Sequence, residues 1–474
     1  MKNFLFIYLL CWCGCMYAQS DNSFVKVRNI IIEGNKKTKP YVILREMTIR
    51  ENDSFPAKDM DSTLLHQRLN IFNIGLFNDV NLNIKNWEDD SLDIIVQVHE
   101  RWTIIPLPII KFVDRNVVEW WKQYNHDFKR LQYGALVNWG NISGRNDALQ
   151  LAISFGFAQK LEVGYSIPQL NVRKKNVGLS MYFSMLRTRR IAYNTLDDKL
   201  AYMYLGSSWQ QQKIEVSAQV SYRKAIYNTH YFSTGYGITA VSDTVLQANP
   251  EYFSDGNKRQ QYFKIGYTFI SDHRNIKAYP TQGWYLTANL TNYGLGFMKT
   301  KMTSVNFQFS KYFQWKKYQR FSTASMIKWQ LSWPLKQPYN LQPIKSLGYG
   351  ENLVRGYELN VLDGQHFLLF KHEFRFRVFS FQYSKLKKFK GKTAQIFRSS
   401  LAYLPLKLYL SAYFDAAYVW DNNYAFNNQY KNKWQFGYGI GLNFVTSNSN
   451  LFRIEYSVNR YLKNGVYLHF TQPI

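Results

Sequence analysis

The sequence predicts an all-β transmembrane barrel of about sixteen antiparallel strands, preceded by one small α+β domain. Three observations carry this. From about Leu131 onward, apolar and polar residues alternate with a period of two. Aromatic residues make up 18% of the chain, about twice the share expected of a soluble enzyme. After the N-terminal segment, no apolar run approaches the roughly 18 residues of a spanning helix.

The first element is an export signal. In MKNFLFIYLLCWCGCMYAQS, Lys2 precedes an apolar run from Phe4 to about Cys15, and Ala18 stands before Gln19. This reads as a cleaved signal peptide over residues 1–18. The run is short for a membrane anchor. A lipoprotein anchored at Cys15 is the other reading, although Trp12 and Cys13 make a poor lipobox. All three cysteines, Cys11, Cys13 and Cys15, lie in this segment. A mature chain without them has no disulfide, thiolate metal site or cysteine nucleophile.

The formal net charge is +27, which raises nucleic acid as a partner. The basic residues are scattered over strands and loops, with no basic helix or zinc module, so no nucleic-acid partner is expected. A basic lumen and contacts to anionic outer-membrane lipid account for the charge better.

Residues 24–101 form the small domain. VKVRNIIIEGN is a strand ending in a Gly34-Asn35 turn. Thr38 is expected to cap a helix, with Pro40 in its first turn. A second helix is expected from about Lys58 to Ile71, with Leu65, Leu69 and Phe72 on one face. Val80, Leu82 and Ile84 alternate with Asn81 and Asn83 in a half-buried strand, and Leu92 to Val98 make another. IIIEGNKKTKPYVILREM followed by LNIFNIGLFNDVNLNI resembles a POTRA (polypeptide-transport-associated) domain, present in one copy. An edge strand of such a sheet can accept an extended client by augmentation, and Val80, Leu82 and Ile84 mark the candidate edge.

Residues 102–130 read as a linker and barrel floor, with Trp120, Trp121 and Tyr124 at the membrane interface. The barrel is expected over 131–474. Its strands fall near 131–138, 147–157, 159–167, 177–186, 199–208, 213–224, 228–241, 260–271, 283–293, 301–313, 318–331, 366–379, 407–420, 434–444, 452–459 and 463–471. WQFGYGIGLNF shows the pattern best: Trp434, Phe436, Tyr438, Ile440, Leu442 and Phe444 take one face, and Gln435, three glycines and Asn443 the other. A soluble sandwich or propeller would have to bury those aromatic faces against a second sheet.

The longest late loop, 332–364, lies between the eleventh and twelfth expected strands. At its centre Val354, Arg355, Gly356 and Tyr357 resemble the lid-loop motif of the BamA/TamA family of outer-membrane assembly and translocation barrels. The resemblance implies that the loop folds into the barrel and points its arginine into the lumen. Parity supplies acids: Glu373 on the twelfth strand and Asp415 on the thirteenth face inward. YFDAA resembles the family's wall motif, with Tyr413 at its aromatic position and Ala417 where a glycine is usual. One guanidinium can take a carboxylate at two points, so Arg355 is expected to latch the loop to Asp415, with Glu373 nearby. A wet lumen should soften the cost of breaking that pair to about 1–3 kcal/mol. Asp272, Arg274, Pro280 and Gly283 also resemble a family turn, but a plain tight turn held by the Asp–Arg pair explains them.

Nothing here reads as an active site. The eight histidines are scattered without metal-ligand spacing, and no nucleophile elbow or phosphate loop is present. No enzyme activity, cofactor or metal is expected. The resemblance implies an outer-membrane protein, with its N-terminal domain in the periplasm, that assists insertion or translocation of an unidentified client polypeptide in an accessory or specialised role. A monomeric barrel is expected. The alternative is a passive pore or surface-binding barrel without client transport.

Overall fold

A computed structural model of the chain describes residues 23–112, 127–170, 176–253, 256–341, 346–348, 352–382, 405–421, 428–446 and 451–470. The export segment, Trp120, Trp121 and Tyr124 lie outside these residues.

The small domain runs β1 (Phe24–Glu33), α1 (Pro40–Leu44), β2 (Ser54–Pro56), α2 (Met60–Phe72), β3 (Phe77–Glu88) and β4 (Ser91–Glu100). Its sheet order is β2-β1-β4-β3. β1 and β4 are parallel, a pairing that needs a long crossover, and both helices lie on it. Alternation along β4 sends Leu92, Ile94, Val96 and Val98 into a core with Val27, Ile43, Met47, Ile71 and Phe77. Gly34 has φ +88°, and a Cβ there would sit 2.1 Å from the Val98 carbonyl oxygen, so the turn needs glycine.

Two local expectations differ. Thr38 is no cap: the N-cap is Lys39, without a side-chain bond. Buried Thr38 instead accepts a hydrogen bond on Oγ1 from Asn141 Nδ2 of the barrel, at 2.9 Å. On α2, Leu65 is exposed. The buried positions are Ile71 and Gln67, whose amide bonds both the backbone N and Oγ1 of Thr48 at 2.7 Å.

The barrel sheet contains β5 (Ile104–Phe112), β6 (Leu131–Gly140), β7 (Ala148–Gly156), β8 (Ala158–Ile167), β9 (Val177–Thr188), β12 (Gln211–Tyr222) and β13 (Asn228–Val241). It continues through β14 (Arg259–Asp272), β15 (Gly283–Tyr293), β16 (Met302–Gln314), β17 (Phe321–Trp333), β18 (His366–Gln382), β19 (Pro405–Trp420), β20 (Trp434–Val445), β21 (Leu451–Asn459) and β22 (Asn464–Phe470). All sixteen form one sheet in chain order. The remaining strands, β10 (Arg190–Leu196) and β11 (Lys199–Tyr204), pair only with each other, in a separate hairpin.

The count of sixteen therefore conceals two corrections. Ile104–Phe112, expected as linker, is the first barrel strand and pairs with β6. Its Pro106 and Pro108 break the apolar rhythm and cannot donate to a ladder. They are tolerated because β5 lies at the edge of the sheet. Conversely, 199–208 alternates like a barrel strand but belongs to the hairpin. Among the described residues no ladder joins β5 to β22, so the first and last strands are the two unpaired edges of the sheet.

Side-chain parity follows the sequence pattern. On β18, Phe370 and Phe374 are exposed while Lys371, Glu373 and Arg375 are buried on the opposite face.

The small domain rests on turns at one end of the barrel. Arg223 donates to Glu46 from Nη1 and Nη2 at 2.7 and 2.6 Å. Lys39 N donates to the Gly144 carbonyl at 2.9 Å, and Asn73 Nδ2 to the Asn275 carbonyl at 3.0 Å. Burial alone would raise the pKa of Glu46, but the hydrogen bonds and charge of Arg223, with Arg45 beside it, outweigh that and hold it below the usual carboxylate range.

Candidate functional site

The loop between β17 and β18 turns inward. Arg355 is 1% exposed, and Val354 and Tyr357 are fully buried. Val354 and Tyr357 pack in one apolar cluster with Leu362, Phe367, Leu369, Ala417 and Val419. The Tyr357 hydroxyl donates to Gln435 Oε1 at 2.9 Å. Gly356 has φ +90°, and its carbonyl accepts from Asn459 Nδ2 at 3.0 Å. From above, the β10–β11 hairpin holds the same loop, because Val361 N donates to the Asp198 carbonyl at 2.9 Å.

Arg355 meets Asp415 at three donors. Nη2 lies 2.5 Å from Oδ1, and Nε and the backbone N each lie 3.0 Å from Oδ2. Its Nη1 stands 3.5 Å from both Glu373 and Glu455. The guanidinium also stacks on Tyr413, 3.8 Å from the ring centroid, a cation–π contact strengthened by burial. Tyr413 is held in turn by its hydroxyl, 2.6 Å from Ser457 Oγ. Asp415, Glu373 and Glu455 are at most 1% exposed. The cluster is shielded from bulk solvent at this point, where a wet lumen was expected.

Further charges complete the cluster. Arg375 Nε lies 3.1 Å from Glu373, Lys371 Nζ 3.8 Å from Asp415, and Arg453 Nη1 3.4 Å from Glu455. Asn443 Nδ2 donates to Glu373 at 2.9 Å. Buried charges arranged this way are held by mutual pairing, and removing one strands its neighbours.

Glu455 and Gly437 were not singled out from the sequence. The parity of FRIEYSVN places Glu455 on the lumen face, but not beside Arg355. What joins them is β20, whose lumenal glycines leave room across its face. A Cβ at Gly437 would sit 1.7 Å from the Arg355 carbonyl oxygen, so the lid can lie down only because that position is bare.

The turn between β14 and β15 is more than a plain turn. Arg274 pairs with Asp272 at 2.8 Å as expected. Beyond that pair, Tyr279 and Pro280 reach the cluster: Arg375 donates to the Pro280 carbonyl at 2.9 Å and stacks on Tyr279. Asn275 of this same turn receives the small domain's Asn73. A contiguous set of contacts thus runs from α2 to the lid.

The residues marked for a client edge stand apart from the lid site. β3 is an edge strand of the small sheet. Val80, however, is core, and its carbonyl accepts from Arg68 Nε at 2.6 Å. Leu82 and Ile84 pack against that core. The edge therefore offers backbone, and not these side chains.

No group of three or more metal-ligating side chains occurs among the described residues. Comparison with known proteins bears on the same geometry. Residues 141–470 match the family model described as the Omp85 superfamily domain. The chain belongs to the Omp85 superfamily. Residues 25–101 match the POTRA model, described as a surface antigen variable number repeat. The outer membrane protein assembly factor BamA of Neorickettsia risticii (strain Illinois) is 39% identical over 79 residues, which are 16% of this chain and 10% of that protein. The match thus spans about a tenth of that relative. Among solved structures, BamA from Haemophilus ducreyi lacking POTRA domains 1–3 aligns over 94% of this chain and 83% of its own, with TM-score 0.51 and 16% identity. CdiB from Escherichia coli aligns over 94% and 75%, with TM-score 0.51 and 13% identity. At these identities the two structures speak for the fold alone. As in other Omp85 proteins, the barrel lies in the outer membrane and the small domain in the periplasm.

Proposed function

We propose that this Omp85 chain assists insertion or translocation of polypeptides at the outer membrane, in an accessory or specialised role and without enzymatic chemistry. One observation carries the proposal. Among the described residues β5 and β22 are the unpaired edges of the sheet, and the lid touches the last of these strands. Glu358 of the lid lies 3.7 Å from His469 on β22 and 3.4 Å from Ser457 on β21. A lid bound there biases the strands that would have to part for a client. The POTRA domain would receive the extended client at the outer edge of β3 beyond Val80, and the barrel, acting as a monomer, would pass it on.

Reconstitution tests this. The protein is placed in liposomes and offered an unfolded barrel client. No cysteine follows Cys15, so one pair introduced across β5 and β22 can seal the seam alone. Client insertion should fall on oxidation and return on reduction. Steady ion conductance with no client insertion in the unmodified protein would identify a passive pore instead.

A further inference from the structure

The lumenal and lipid-facing cations of the same strands are treated differently. Inside, Lys160 sits 2.7 Å from Glu162 and Lys213 2.9 Å from Glu215, and Lys264 also reaches Glu215. Outside, Arg187 and Arg259 have no carboxylate within pairing distance among the described residues. The register fixes their place: Gln159, Arg187, Gln212, Ala240 and Arg259 are successive partners on β8, β9, β12, β13 and β14. Directly paired residues share a face. The same face, nearer the small domain, carries exposed Leu161, Met181, Ile214, Val216 and Phe263, so it faces lipid.

Height follows from the chain. β9 rises from the turn where Arg45 of the small domain bonds Gln169, at 3.1 Å. From Val177 to Arg187, the rise of a strand tilted about 45° is roughly 23 Å, close to the apolar band of about 25 Å. The row therefore stands at the outer headgroup level. Just above it, Arg189 stacks on Trp209 at 4.5 Å and Arg190 on Tyr202 at 3.7 Å. Both rings suit a membrane interface.

We propose that Arg187 and Arg259, with Arg189 above them, dock a phosphate-bearing lipid headgroup of the outer leaflet. Three strand intervals separate the two row arginines, about 14 Å. Gln212 and the small Ala240 leave a flat, hydrogen-bonding floor between them. That spacing suits a glycolipid head with phosphates at both ends, each taken by a guanidinium fork. The lid and seam are not involved, so the site stands or falls apart from the proposed transport.

The test uses the full chain in mild detergent, with lipid binding followed by native mass spectrometry. The probes are a bis-phosphorylated glycolipid, its dephosphorylated form and inorganic phosphate. The bis-phosphorylated lipid should bind selectively. Arg187→Gln with Arg259→Gln should weaken it at least about tenfold, the loss of roughly one charge-assisted contact. Lys213→Gln, on the lumen side of the intervening β12, should leave it unchanged. Equal binding of the dephosphorylated lipid, equal binding by the double variant, or full competition by inorganic phosphate at comparable concentration would overturn the proposal.

Discussion

Arg355 on Asp415 and Arg223 on Glu46 are both two-point contacts between a guanidinium and a carboxylate, and each ties a part outside the barrel sheet to that sheet. Their surroundings differ. The lid pair sits among three further cations and two further carboxylates, on a tyrosine ring, at 0–2% side-chain exposure. The small-domain pair has one carboxylate at 5% and an arginine at 23% exposure, with cavities of about 220 and 540 Å³ alongside. The same chemistry gives a fixed latch in one place and a contact within reach of water in the other. Burial and the number of shared neighbours set the difference, not the pair itself.

The largest effect should come from Arg355→Ala. With the pair this deeply buried, the cost should be about 3–5 kcal/mol locally, above the roughly 1–3 kcal/mol of a solvated site. The barrel ladder does not depend on the lid, so normal protein levels, a protease-sensitive lid and lost client insertion are expected. Asp415→Asn should act similarly and more strongly than Glu373→Gln, because Asp415 takes the fork and the backbone N while Glu373 stands 3.5 Å away. Equal effects would mean the cluster acts as an undivided charge pool. Gly437→Ala should displace the lid without touching a charge. An unaltered lid there would show that the close approach is not needed.

Arg223→Ala should cost less, about 1–3 kcal/mol, and should loosen the small domain while the lid stays protected. Limited proteolysis around residues 100–104 reads the first and lid cleavage the second. A lid freed by Arg223→Ala would show that the contacts through Asn275, Pro280 and Arg375 transmit the domain's position.

The smallest effect is one of pH. Within the small domain, hydrogen bonds from Arg28, then Asn86, hold Asp93 down to about 2. Its folded pKa lies below the unfolded value of about 3.9. Its contribution is therefore complete above about pH 4 and is lost as pH falls toward 2. A fragment of residues 22–101 should fold alone, and its melting temperature should drop over that window. Asp93→Asn should flatten the drop; an unchanged slope would assign it to other carboxylates.

Much of this was legible in the chain, for physical reasons. A half-buried strand repeats every two residues, so the lumenal placing of Glu373 and Asp415 could be read from parity. Where that rhythm is broken or borrowed, reading fails. Pro106 and Pro108 hid a barrel strand that only a sheet edge tolerates, and the alternation in Lys199–Tyr204 belongs to a hairpin. Nor does periodicity say which strands lie close across a lumen. Glu455 is separated from Arg355 by a hundred residues of sequence and becomes its neighbour only through the bare glycines of β20. Thr38 had the right chemistry for a cap and was taken instead by a contact across the domain boundary.

The claim that one buried arginine holds the lid in the barrel is tested most directly by amide hydrogen exchange over Val354–Leu362 in the folded protein, with and without Arg355→Ala. Loss of about 3–5 kcal/mol should speed exchange in that segment by roughly two to four orders of magnitude, with the amides of β18 and β19 unchanged. Exchange that stays slow in the variant would mean that apolar packing holds the lid and that the Arg355–Asp415 contact does not.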